Sequence, residues 1–119
     1  MAGLGWTFKK AGEHPWIVVS DPQKGSGGRC LCVNLTDTAN YFVRDCVLEA
    51  GCHPLITKDS VLYYPEALET TSGKIDAMIA DGAFERKANI EGNLLRRIIN
   101  ACRQTKHLPG QYRHYVHQA

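Results

Sequence analysis

His14 and Thr36 bracket two apolar runs, P-W-I-V-V-S (15–20) and R-C-L-C-V-N-L-T (29–36), joined by Asp21-Pro22 and the Gly- and Ser-rich Q-K-G-S-G-G (23–28). Imidazole changes charge between pH 5 and 8, so it can take or give a proton under ordinary conditions. A threonine hydroxyl can donate a hydrogen bond to a phosphate oxygen. Cleaving RNA through its own 2′-hydroxyl needs a base for that proton, an acid for the leaving 5′-oxygen, and positive charge at the phosphorane. His14 suits either proton-transfer role. Lys58 and Arg29 are the nearby cation candidates, and Asp59 is a carboxylate able to orient a histidine. Of these, only His14 and Thr36 have a geometric reason to meet, because two adjacent strands bring opposite ends of a hairpin together.

The plain alternatives are turn and strand-end roles: His14 closing a turn before Pro15, Thr36 as a β-branched strand residue, and Asp59-Ser60 as a turn bond. His53-Pro54 repeats the His-Pro dipeptide, which is therefore not diagnostic alone. His107, His114 and His117 fall in a C-terminal tail where no role is expected. The five cysteines, Cys30, Cys32, Cys46, Cys52 and Cys102, are odd in number and form no C-x-x-C pair, which argues against a disulfide framework. Cys46, Cys52 and His53 can be drawn as a zinc site, but their spacing matches no common finger, so no metal or other cofactor is expected.

The 119 residues fit one domain with a single core. No apolar run approaches the ~20 residues of a membrane helix, and the opening M-A-G-L-G-W-T-F-K-K lacks a signal-peptide pattern. A cytoplasmic protein with no membrane partner is expected. The net charge of +2 hides an asymmetry. Residues 1–82 hold 7 Lys and Arg against 10 Asp and Glu (−3), and residues 83–119 hold 7 against 2 (+5). A basic C-terminal third is either a phosphate footprint or a solvated helix face.

Positioning falls to many short strands followed by helices. Residues 5–10, 16–20, 29–36, 41–43, 46–49 and 54–57 read as strands, and V-L-Y-Y (61–64) as another that Pro65 interrupts. Such spacing predicts a small barrel or sandwich over about residues 3–70. Thr71 or Ser72 caps a helix over about 72–82, and a second runs over about 90–104. In the latter, Leu94, Leu95, Ile98, Ile99 and Cys102 share one face, and Arg96, Arg97, Asn100 and Arg103 lie opposite. Residues 105–119 read as an irregular tail.

The whole order, with Gly12-Glu13-His14-Pro15, Trp16 to Ser20, Val33-Asn34-Leu35-Thr36, Ile56 to Val61 and the helix L-L-R-R-I-I-N-A-C-R-Q, resembles the PemK/MazF family of toxins from type II toxin–antitoxin modules. The resemblance spans about residues 3–104. It implies an SH3-like β-barrel with C-terminal helices, mainly β with α, usually a homodimer. It also implies metal-independent cleavage of single-stranded RNA, neutralised by an antitoxin protein that covers the RNA groove. Thr36 matches the family's threonine, whereas His14 stands where the family has an arginine that contacts the scissile phosphate. The catalytic candidates are thus His14 and Thr36, and the RNA-binding candidates Arg29, Lys58, Arg96, Arg97 and Arg103. The alternative is a non-catalytic SH3-like barrel that binds RNA or a protein partner.

Overall fold

Side-chain alternation in one strand decides the architecture. In this computed structural model, which describes residues 1–117, Arg29–Asp37 forms the central strand β3. Successive side chains of a strand point to opposite faces. Leu31, Val33 and Leu35 enter the main core, and Cys30 and Cys32 belong to a second apolar cluster on the other face. Both thiols are free and fully buried, so this part of the strand is covered on both sides.

Strands β1 (Thr7–Lys9), β2 (Trp16–Val18), β4 (Val47–Leu48), β5 (Ser60–Thr71) and β6 (Glu85–Lys87) complete one six-stranded sheet. The order is β4-β5-β3-β2-β1-β6 with every neighbour antiparallel. The two end strands do not pair, so the sheet is a curled half-barrel in a mainly β fold with helices.

Helix α1 (Ser72–Ala80) starts where Thr71 Oγ1 accepts the Lys74 N–H at 3.2 Å, an N-cap of the usual kind. It lays Ile75 over Phe8, Val18, Cys30 and Cys32. Gly28, at φ +77°, lies so close to α1 that a Cβ there would sit 2.7 Å from Ser72 Oγ, which explains a glycine at the end of the 23–28 turn. Helix α2 (Gly92–Gln104) closes the main core with Ile98 and Cys102, flanked by Leu94, Leu95 and Ala101. No helix among the described residues is long and apolar enough to cross a membrane.

The structure departs from the strand pattern at four places, each for a local reason. Beyond Pro65 the chain stays extended: β5 runs on to Thr71, and the pairing jumps from Asn34–Tyr63 to Cys32–Leu68. Residues 64–67 therefore bulge opposite Val33. Proline has no N–H for the ladder, so a bulge is how a strand accommodates it. Residues 41–43 form a loop, because the Arg44 guanidinium donates to the carbonyls of Thr38, Tyr41 and Val43 that a ladder would need. Residues 54–57 form a turn, closed by Gly51 N–H to Ile56 O at 2.7 Å and Ile56 N–H to His53 O at 2.9 Å. Tyr41, Val43 and Ile56 are still buried, as loop anchors rather than strand residues. The charged Glu85-Arg86-Lys87, with no apolar alternation to announce it, pairs with β1 as an edge strand, where charge guards against further pairing.

The tail is also ordered as far as it is described. Gly110–Tyr112 is a 3₁₀ turn and Arg113–Val116 the short helix α3. Leu108, Tyr115 and Val116 are buried in the main core. Arg103 Nε donates to Val116 O, Arg113 donates to Thr105 O at 2.9 Å, and the Tyr115 hydroxyl donates to the Glu69 carboxylate.

Candidate active site

The face of β3 that carries Cys30 and Cys32 continues with Asn34 and Thr36, past the cover of α1. These two polar residues are buried, at 7% exposure each. The pairing Trp16–Asn34, with Leu35 N–H donating to Pro15 O at 3.0 Å, carries the β2–β3 register one step beyond the strand. That step sets His14 across from Thr36. Both line a cleft of about 240 Å³ together with Asn34, Asn40, Tyr63 and Glu66. Tyr63 arrives through its pairing with Asn34, and Glu66 through the Pro65 bulge.

Within the cleft, Asn34 Nδ2 donates to Glu66 Oε2 at 3.4 Å. An ionised carboxylate only accepts, so this contact fixes the amide's orientation. Asn34 Oδ1 is then left buried, without a hydrogen-bond partner among the described residues. Leaving a buried acceptor unpaired costs about 1–3 kcal/mol, an imbalance that calls for a reason in a native fold. Thr36 Oγ1 accepts from Asn40 Nδ2 at 3.4 Å, which leaves the hydroxyl proton available to another acceptor.

A second, smaller cleft of about 120 Å³ adjoins the first and shares His14 and Thr36 with it. Lys9, Lys58 and the hydroxyl residues Thr57 and Ser60 line it, with Glu13 and Asp37. His14, Thr36 and Lys58 are thus brought together. The two lysines are balanced by two carboxylates, so any anion held here is held by local hydrogen bonds rather than by net charge.

The remaining candidates lie elsewhere. Arg29 is at the opposite end of β3, paired with Thr71, seven residues and roughly 23 Å of strand from Thr36. Arg96, Arg97 and Arg103 sit on α2, which packs on the face of β3 away from the cleft. Arg97 donates to Val47 O at 3.0 Å, Arg103 to Val116 O, and Arg96 to Asn93 Oδ1 at 2.7 Å. The Asp59 carboxylate accepts the Ala50 N–H at 2.9 Å, and among the described residues it makes no hydrogen bond to a histidine. His53 has both ring nitrogens engaged, with Nδ1 accepting from Leu55 N–H at 3.1 Å and Nε2 donating to Asn89 O at 3.0 Å. No lone pair is left for a metal. Among the described residues no group of three or more His, Cys, Asp or Glu is arranged to hold one. Burial pushes the Cys46 thiol up and Cys102 up to about 12, so these two buried thiols are protonated packing groups, and the thiol of the exposed Cys52 is raised as well, chiefly by partial desolvation.

Asn34, Asn40, Tyr63 and Glu66 were not singled out from sequence. Asn34 was legible in principle, since Asn34 and Thr36 share one strand face inside an otherwise apolar run. Glu66 was not, because only the bulge brings it to this face. A larger groove of about 520 Å³ lies between residues 1–4, residues 21–25, Gly28 and Ser72, but its one carboxylate, Asp21, already caps the turn through the Gln23 N–H at 2.9 Å. Comparison with protein-family models, curated proteins and solved structures gives no match.

Proposed function

We propose that the protein is an endoribonuclease that cleaves single-stranded RNA without a metal, on a half-barrel related to the SH3-like PemK/MazF barrel. The observation that supports this is the meeting of an imidazole and a carboxylate, His14 and Glu66, with Thr36 in one cleft, and the adjoining cleft that brings Lys58 to His14 and Thr36. Glu66, held by Asn34, takes the proton of the ribose 2′-hydroxyl. The 2′-oxygen attacks phosphorus, and the bond from phosphorus to the 5′-oxygen breaks. His14, entering as imidazolium, gives its proton to that 5′-oxygen. The products are a 2′,3′-cyclic phosphate and a 5′-hydroxyl, with protons balanced. The Thr36 hydroxyl and the Lys58 ammonium stabilise the phosphorane oxygens as charge develops. Histidine in place of the family's arginine changes the position from an electrostatic clamp to a proton donor. The same proposal takes the chain as a homodimer and a protein antitoxin as the partner that covers the cleft.

The test is incubation of a long single-stranded RNA with the protein in EDTA, beside His14→Ala. Discrete fragments ending in cyclic phosphate, lost in the variant, support the proposal. Intact RNA with both proteins overturns it and leaves a barrel that binds RNA or a protein without cleaving.

A further inference from the structure

Phe42 is 77% exposed, and the other large apolar side chains left open, Met1, Leu4 and Leu68, belong to other segments. Its loop is not free to fold the ring away. Arg44 donates to the carbonyls of Thr38, Tyr41 and Val43, and Thr38 N–H donates to Asp59 O at 3.1 Å, so the segment is clamped from both ends. Tyr41, beside Phe42, is buried in the core and anchors the loop from below. A phenylalanine is a residue that folding normally buries. Here the backbone on both sides of it is fixed while the ring stays in water.

The ring also belongs to a series that leads into the cleft. Tyr63, which lines the cleft, meets Tyr41 edge-on with centroids 4.8 Å apart. Tyr41 meets Phe42 at 5.3 Å, and Phe42 meets His107 at 5.9 Å with the rings perpendicular. Asn40, on the same loop, lines the cleft too. Phe42 is thus two residues along the chain from one lining residue, Asn40, and two ring contacts from another, Tyr63.

We infer that Phe42, steadied by His107, is a stacking platform for an unpaired nucleobase adjacent to the phosphodiester held at His14 and Thr36. This rests on the RNA-cleaving function proposed above. The surroundings choose between occupants. An apolar protein face needs a contiguous apolar patch. Phe42 has instead exposed polar neighbours in Asn40, Arg44, Asp45 and His107. A single open ring among polar groups fits a planar ligand with a π-face and a polar edge, as bases in single strands present. A duplex keeps its bases stacked and gives the ring nothing to cover.

The test is binding of a 2′-O-methyl RNA oligonucleotide, which cannot be cleaved, followed by fluorescence anisotropy for the wild type, Phe42→Ala and Phe42→Trp. Base–aromatic stacking measured by alanine substitution predicts an affinity loss of about 10- to 100-fold for Phe42→Ala. Phe42→Trp retains wild-type affinity, its added indole emission is quenched by the oligonucleotide, and thermal stability is unchanged in both variants. Affinity for a duplex of the same sequence does not depend on residue 42. Unchanged binding by Phe42→Ala from a protein that cleaves RNA overturns the platform and leaves the nuclease standing. Loss of affinity in Phe42→Ala, restored by tryptophan, from a protein that binds without cleaving keeps the platform and removes the nuclease. Failure of tryptophan to restore binding overturns the stacking role. Failure of the wild type to bind overturns the platform, leaves the nuclease to the cleavage assay above, and makes a protein segment the next occupant to test.

Discussion

The cleft at His14 and the basic surface of α2 both carry side chains suited to meet RNA, but they use those side chains differently. On α2 the guanidiniums already have work: Arg97 holds the carbonyl of β4 at Val47, Arg103 holds the end of α3 at Val116, and Arg96 bonds Asn93 on its own helix. In the cleft, polar groups are left with capacity to spare. Asn34 Oδ1 has no donor among the described residues, and the Thr36 hydroxyl proton is not claimed by Asn40. Charge counted along the chain points to α2; unused hydrogen-bonding capacity points to the cleft. A guanidinium has five N–H donors, so each of these bonds occupies only part of an exposed arginine's capacity, and the contrast between the two surfaces is one for experiment to decide.

The largest effect that can break this contrast is catalytic. Glu66→Gln keeps the contact with Asn34 through its side-chain oxygen but cannot take a proton. It should lower single-turnover cleavage about 10²–10⁴-fold, the usual contribution of a positioned base. The triple change of Arg96, Arg97 and Arg103 to alanine should leave the chemical step within a few-fold. With at most two lysines at the cleft, log affinity should fall with log salt at a slope of roughly −1.4, about 0.7 for each phosphate contact on a single strand. A steep slope that disappears in the arginine triple variant would reverse the contrast.

A second difference concerns α2's neighbour. Tyr115 plugs the core from a segment that composition marks as irregular, so Tyr115→Ala should cost about 3–5 kcal/mol, in the range of aromatic-to-alanine core changes. Chemical denaturation reads this directly. A cost below about 1 kcal/mol would mean that α3 is an ornament on the core and that Arg103 has nothing to hold. The hydroxyl adds a pH signature. Burial and the Glu69 carboxylate push the Tyr115 phenol up to about 12 from an ordinary value near 10. The folded state thus favours the protonated phenol. That stability is fully present below pH 10, is lost between pH 10 and 12, and is absent in Tyr115→Phe.

What was legible in the sequence follows from where the information is local. Alternation in Arg29–Asp37 and the apolar face of α2 are carried by side chains next to one another, and they set the sheet and its cover. The hairpin that opposes His14 and Thr36 is likewise a matter of two runs and a turn. The loop at Tyr41 was not legible, because Arg44 takes the carbonyls a strand would have used, and nothing in Y-F-V announces that. β6 was hidden because an edge strand with one apolar neighbour needs no alternation of its own. Glu66 was hidden for the reason Pro65 was misread: a proline ends the regular ladder but does not end the strand, and the resulting bulge re-aims the next carboxylate. The tail was hidden because Tyr115 and Val116 find their core through α2 rather than through any period of their own.

The finest test of the contrast is the orphan acceptor. If Asn34 is kept for a ligand rather than for the fold, removing it should help the fold and harm the function. Asn34→Val matches the β-branched preference of a central strand and discards an acceptor with no donor. It also discards a long hydrogen bond to an exposed carboxylate, whose contribution is small at 3.4 Å. The balance should be neutral to about 1 kcal/mol stabilising, read as an unchanged or slightly raised Tm, together with weaker cleavage as Glu66 loses its donor. A valine that destabilises by more than about 1 kcal/mol would show that the Asn34 amide serves the fold. The cleft would then resemble α2, with its polar groups already spent on structure.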